Sequence, residues 1–363
     1  MPSPQQRVVP FDSHRISDVY KQVKLESEAP LAYVSQPSEQ ATIGVIDTFR
    51  SSASEQPLHG DQVHAVVLNH GFTEEDTARL SSGIDAKTMA ALNSLLYKDG
   101  KESFSERLDA YIELTAGQTL SKTNGILRQL DQQDDLKLKT LNQSQGESRI
   151  GIYLLLLGAA WNGRKDGQPL ITKTGKKMAE ACGHSPDAAD FSPWKFHQSL
   201  IERVNKVVDE SKYVSGLQKD HVNLLNSLGR KGVTVVSSAG NDNDEYLETR
   251  DVFGHRIPEN FDDDITSVGN KIVVGALDTK GTPDTSDDEI AYFSSRYGAV
   301  SILADGIDVE TLDGHRATGS SFAAPQVAAD LEKLRRAHPE TPVEKLREEA
   351  ASHFRATDGY NIL

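Results

Sequence analysis

At 363 residues and 37% apolar content, the chain is long enough to bury a sizeable core and too apolar for wholesale disorder. A formal charge of −15 argues against nucleic acid or an anionic membrane as the main partner, because both repel an acidic surface. A single cysteine, Cys182, excludes an internal disulfide and a Cys-rich metal site, and reads as a reduced thiol in a cytosol-like compartment. The start, MPSPQQRVVPFDSH, has no apolar signal core, and the most apolar run, 150–160, falls far short of the roughly 20 residues a membrane helix needs. The expectation is a soluble protein that stays in the cytoplasm or is exported without a classical signal, including delivery into a host or target cell.

In chain order, residues 1–38 are rich in Ser, Gln and Pro and read as a partly extended arm, with one large domain over 39–363. The β-branched run 41–46, ending at Asp47, reads as a buried strand. His59 opens a helix carrying Val63, Val66 and Val67 at helical spacing, and 73–108 look helical and charged. Ala110 to Thr115 suggest a strand, 121–132 an amphipathic helix, and 136–141 a strand running into Asn142-Gln143-Ser144-Gln145-Gly146. Residues 147–216 are mixed and polar after one apolar run. A helix over 221–228 leads to the strand Val233–Val236, which ends in Ser237-Ser238-Ala239-Gly240-Asn241. Acidic loop residues 242–264, a strand at 271–274, a further run at 300–303 and two charged helices, 321–337 and 342–353, complete the pattern. Short apolar strands alternating with helices imply an α/β fold: a mainly parallel sheet flanked by helices on both faces. In such sheets functional residues gather at the carboxyl ends of strands, where Asp47, Ser144 and Asn241 fall.

Ser321 lies in Gly319-Ser320-Ser321-Phe322-Ala323-Ala324-Pro325, where small residues and a first-turn proline mark a helix start. A serine there sits among unsatisfied N–H donors and positive dipole, which suits an oxyanion. An ordinary Ser cap explains the segment alone equally well. His59 is one of 11 histidines, Asp47 ends a strand as many Asp residues do, and Asn241 fits a turn.

Together these segments are far more specific. Asp47-Thr48, His59-Gly60-Asp61-Gln62-Val63, Ala239-Gly240-Asn241 and Gly319 to Pro325 resemble, in order, the Asp-Ser/Thr-Gly, His-Gly-Thr-His-Val, Ala-Gly-Asn and Gly-Thr-Ser-Met-Ala-Ser/Ala-Pro motifs of the subtilisin-like serine peptidases. Thr123-Asn124-Gly125-Ile126 and the run from Leu141 to Gly146 are similar to the helix and substrate-binding strand between the histidine and the asparagine. The resemblance covers roughly 41–72, 109–146 and 217–337. It implies that Ser321 attacks the scissile carbonyl, His59 relays the proton, Asp47 orients the imidazole and Asn241 helps hold the oxyanion. Ser144, Gln145 and Gly146 would pair with the substrate backbone. No cofactor or metal is implied, and the partner is a protein or peptide substrate.

Some residues depart from the pattern. Phe49 replaces the glycine after Asp-Thr, Gln62 the second histidine, and Ser320 the threonine beside the nucleophile. Only 46 residues precede Asp47, too few for the inhibitory prodomain of secreted relatives. The segments 73–108 and 147–216 exceed the plain family core, as neutral decoration or as a lid or exosite that makes cleavage selective. Asp242, Asp244, Glu245 and Glu248 form either a solvated acidic loop or a wall favouring Lys or Arg at P1. Neither an Asp-x-Asp-x-Asp-Gly calcium loop nor a His-Glu-x-x-His metal helix is present. The competing reading is a catalytically weak or inactive binding protein on the same fold.

Overall fold

The computed structural model describes residues 15–29, 33–34, 37–50, 55–165, 168–242, 265–266, 268–282, 284, 286–295, 300–343, 345–346 and 348–349. Its centre is β1 (Ile43–Asp47), buried at every position because helices cover both faces. Ile43 and Val45 point into one core with Val63, Val66 and Val67, whereas Ile46 points into another with Leu127, Leu141 and Leu228. That two-residue alternation makes β1 a strand.

β1 pairs in parallel with β2 (Thr77–Ser81) on one side and β3 (Thr140–Gln143) on the other. β3 pairs with β6 (Thr234–Ser238), β6 with β7 (Ile272–Asp278) and β7 with β9 (Ile302–Asp305), all parallel. The short β8 (Glu289–Ile290) closes the seven-stranded sheet antiparallel to β7. One face carries α2 (His59–Asn69) and α9 (Ser320–Ala337), and the other the second half of α4 (Phe104–Asp131) and α8 (Lys212–Arg230).

A further hydrophobic core lies beyond the sheet. The first half of α4 packs there against α1 (Ile16–Ser27), α3 (Ala86–Tyr97), α5 (Arg149–Ala160), α6 (Lys173–Ala181) and α7 (Pro193–Glu210). Arg203 of α7 staples this layer, donating to Asp109 of α4 at 2.7 Å, to Ser105 Oγ at 2.6 Å and to the Ala181 carbonyl of α6 at 2.6 Å. Between α5 and α6 the chain turns through a hairpin, β4 (Trp161–Lys165) and β5 (Gln168–Ile171). Side-chain caps start these helices: Asp85 accepts from Thr88 N–H, Ser148 from Gly151 N–H, Thr172 from Gly175 N–H and Ser211 from Val214 N–H.

Several expectations are corrected. Residues 16–27, assigned to an extended arm, form α1, which buries Val19 and Val23 in the helical core; residues 1–14 lie outside the described residues. The segment 73–108 contains β2 as well as helices. Ala110 to Thr115 belong to α4 and not to a strand. The strand expected over 136–141 begins only at Thr140. Asp244, Glu245 and Glu248, and half of the expected 342–353 helix, fall outside the described residues. No helix among them is long and apolar enough to cross a membrane.

Candidate active site

The carboxyl ends of β1, β3 and β6 open into one cleft of about 640 Å³ that holds His59, Ser144, Gln145, Gly146, Asn241 and Ser321. Adjacent parallel strands diverge where their helices leave them, and this produces the crevice. Asp47 lies behind it, wholly buried at the end of β1. Its Oδ1 accepts the Thr48 N–H at 2.6 Å, and His59 Nδ1 stands 3.0 and 2.9 Å from the two carboxylate oxygens. A carboxylate only accepts, so Nδ1 carries the proton and Nε2 is the acceptor end of the ring.

Helix α2 is drawn onto β1 by backbone contact. Gly60 N–H donates to the Thr48 carbonyl at 2.9 Å, and a Cβ on Gly60 would come within 2.7 Å of that oxygen and 2.8 Å of Asp47 Cβ. Asp61, one position on, accepts the Leu58 N–H at 2.8 Å and the Arg50 N–H at 3.1 Å, fixing the strand-to-helix connection. Burial pushes the His59 imidazole's pKa down, but the hydrogen bond and charge of Asp47 outweigh it, so His59 titrates above its ordinary 6.5. With its side chain 37% exposed, the ring is open to the cleft, and it packs beside Phe322 at 5.7 Å between centroids.

Two serines begin α9, and their surroundings differ. Ser320 is wholly buried, with its N–H donating to Asn241 Oδ1 at 2.8 Å and its hydroxyl 2.9 Å from the same oxygen. Ser321 lines the cleft. Its hydroxyl donates to the Ser144 carbonyl at 3.2 Å, and Ser144 Oγ donates back to the Ser321 carbonyl at 3.0 Å. No hydrogen bond joins Ser321 to His59. Resting hydroxyls in such sites commonly bond elsewhere and turn to the base when substrate is present.

Anion stabilisation follows from the same contacts. Ser320 occupies Asn241 Oδ1, which orients the amide so that its NH2 is the end left for a ligand. Gly319 has no side chain to cap α9, and its φ of +155° and the 3.1 Å its Cβ would leave to Asn241 Nδ2 both demand glycine. Ser320 N–H goes to Asn241 and Phe322 N–H to the Gly319 carbonyl; among the described residues the Ser321 N–H between them has no partner. An open N–H at a helix start beside an oriented amide can hold an oxyanion.

Gln145 lies in the cleft with Ser144 and Gly146. Its side chain spans the cleft floor, accepting from Ser82 Oγ at 2.9 Å and donating to Thr48 Oγ1 at 2.7 Å, while its carbonyl accepts from Gln143 Nε2 at 3.2 Å. Ser82, Ile84, Met89, Thr119, Glu147, Ser148 and Gly151 also line the cleft and escaped the sequence reading. They sit where β2, α3, α4 and α5 meet the cleft, and α4 was obscured by the supposed strand at 110–115. The Ser103-x-x-Glu106 capping box, with Glu106 Oε2 accepting the Ser103 N–H at 2.8 Å, marks the start of α4.

Comparison with known proteins gives a match between residues 163–355 and the profile of the subtilase family. The matched stretch includes Asn241 and Ser321 and begins after Asp47 and His59. No curated protein matches. Similar solved structures include the nisin leader peptidase NisP from Lactococcus lactis, at 14% identity over 91% of this chain and 87% of that one, with a TM-score of 0.41. The self-cleaved protease domain of PatA is 15% identical over 86% of this chain and 88% of that one (TM-score 0.35), and the prenylagaramide maturation protease PagA 14% identical over 92% and 84% (TM-score 0.33).

Proposed function

Since the chain belongs to the subtilase family of serine endopeptidases, we propose that Asp47, His59 and Ser321 cleave peptide bonds as one relay, with Asn241 as the oxyanion donor. The observation that carries this reading is His59, bound through Nδ1 to buried Asp47 at 2.9 Å while its ring opens on the cleft that holds Ser321.

In this relay the Ser321 hydroxyl leaves the Ser144 carbonyl and turns to His59 Nε2 when substrate is present. Nε2 accepts the proton as Oγ attacks the scissile carbonyl, and Asp47 stabilises the imidazolium that results. The oxyanion receives the Asn241 amide and the Ser321 N–H. Collapse passes the proton from Nε2 to the leaving amine and leaves an acyl-Ser321 ester. Water, deprotonated by His59, then attacks the ester and frees Ser321.

The Ser321–Ser144 bond favours a second reading, a weakly active or inactive protein on this fold. A fluorophosphonate probe separates the two. Rapid covalent labelling, lost in Ser321→Ala and strongly slowed in His59→Ala, supports the relay; no labelling of the wild type, or labelling that survives Ser321→Ala, refutes it. Asn241→Ala is expected to lower kcat roughly 10²–10³-fold with little change in KM, as for a donor that acts in the transition state. Selective cleavage is part of the same proposal, since inserted helices supply much of the cleft rim.

A further inference from the structure

We propose that Asn142 and the Ser144 hydroxyl are positioning residues for Ser321: from β3 they supply the hydrogen bond that Pro325 withholds inside α9. The inference rests on the peptidase reading above and adds a positioning device to it.

Side chains alternate along a strand, so Thr140, Asn142 and Ser144 project from one face of β3 and its continuation, whereas Leu141 packs in the core on the other. The first face looks onto α9. Thr140 Oγ1 donates to Glu332 of α9 at 2.8 Å, and Ser144 Oγ donates to the Ser321 carbonyl at 3.0 Å. Neighbouring strands send apolar side chains to the same helix: Val236, Val274 and Ile302 pack with Ala323, Ala324 and Val327. β3 presents hydroxyls and an amide instead, and such groups are costly in an apolar layer unless they are hydrogen-bonded.

Pro325 supplies the need for them. It lies inside α9, four residues after Ser321, and has no N–H to donate to the Ser321 carbonyl. The carbonyl of the nucleophile thus lacks its ordinary donor within the helix, and the Ser144 hydroxyl takes that donor's place.

A hydroxyl has a single proton to give, and Asn142 settles where it goes. Asn142 Nδ2 donates to Ser144 Oγ at 2.9 Å, which fills the acceptor side of the hydroxyl and leaves its proton to Ser321. Asn142 Oδ1 is buried with no partner among the described residues, so the amide serves here through its donor alone. The backbone of Asn142 is held between Val45 of β1 and Val236 of β6. The relay from Asn142 through Ser144 therefore carries the rigidity of the central sheet to the residue that attacks.

The test uses the full chain, a fluorogenic peptide substrate and a fluorophosphonate probe. Ser144→Ala keeps the backbone and removes only the hydroxyl, so kcat is expected to fall about tenfold with KM within about twofold of wild type. Asn142→Ala should lower kcat in the same way by a smaller factor, and an unchanged kcat overturns its part in the relay. Pro325→Ala restores an N–H within reach of the Ser321 carbonyl, so the Ser144→Ala loss should shrink several-fold in that background. A Ser144 that merely supports the fold gives losses that multiply. Undiminished loss in the Pro325→Ala background therefore overturns the proposal. Should Pro325→Ala not fold, Ser144→Thr replaces it: this variant retains a hydroxyl and should lose less than Ser144→Ala, and equal losses refute the role. Wild type that labels at Ser321 while Ser144→Ala turns over normally overturns the positioning role and leaves the peptidase reading standing. Absence of labelling in the wild type overturns both together.

Discussion

Gly60 leaves the site no slack. Any side chain there meets the Thr48 carbonyl and Asp47 Cβ below 3 Å, and both are held by the sheet, so α2 must yield. Gly60→Ala is expected to cost about 1–3 kcal/mol in stability and to lower kcat by more than its effect on KM, because His59 leaves Asp47. Steady-state kinetics beside a denaturation curve check this; wild-type turnover in the variant refutes it. Asp47 gives a sharper signature. In the proposed relay only neutral His59 accepts the Ser321 proton, so kcat/KM should fall on the acid side with a midpoint above 6.5. Asp47→Asn removes the negative charge that helps raise the imidazole, so the midpoint moves down, and kcat falls by roughly 10⁴. A midpoint unmoved by the substitution would count against the coupling.

At the scale of elements, α4 joins the two halves of the molecule. Leu108, Ile112 and Leu114 pack in the helical core, whereas Ile126, Leu127 and Leu130 pack under the sheet. Ile112→Ala should therefore cost about 2–5 kcal/mol, and peptidase activity should disappear at the same lowered denaturant concentration as helicity. Activity that outlasts loss of helicity would show that the layers unfold independently. The same helix marks the limit of what the sequence makes legible. Asp47, His59, Asn241 and Ser321 stand out in the sequence because their short motifs occur in a fixed order along the chain, each alone being ambiguous. The first half of α4 does not, because Ala110-Tyr111-Ile112 and Leu114 are buried on most of the helix and leave a nearly continuous apolar run, which resembles a strand. β2 is hidden for the opposite reason: Thr77-Ala78-Arg79-Leu80-Ser81 carries few β-branched residues and is a strand because β1 offers it an edge. α1 is invisible for a third reason, since its buried face is as small as Val19, Gln22 and Val23 and has meaning only against α3 and α4.

The whole molecule carries its histidines in opposite electrostatic settings. His64 and His221 are buried, with neutral rings held by Thr77 and Asn124 at 2.7 Å, and burial lowers them to about 4 and about 3. The unfolded chain takes up protons at these sites below pH 6.5 and the folded chain does not, so stability should fall by about 1.4 kcal/mol per site per pH unit from 6.5 toward 4. His59 is shifted the other way: its contribution is complete below 6.5 and disappears as pH rises through its folded value, so it does not offset the acid loss. Urea midpoints at pH 6.5 and 5 check this, and equal midpoints refute it.

The Ser321–Ser144 pair spans 177 residues of chain, and α9, which carries Ser321, is the last helix among the described elements. On a ribosome, Asp47, His59 and the β3 wall emerge well before the serine that completes them. With Ser321 as the proposed nucleophile, the emerging chain lacks its reacting hydroxyl until α9 has been made. The proposed relay is completed only when this helix docks against β3 and β6.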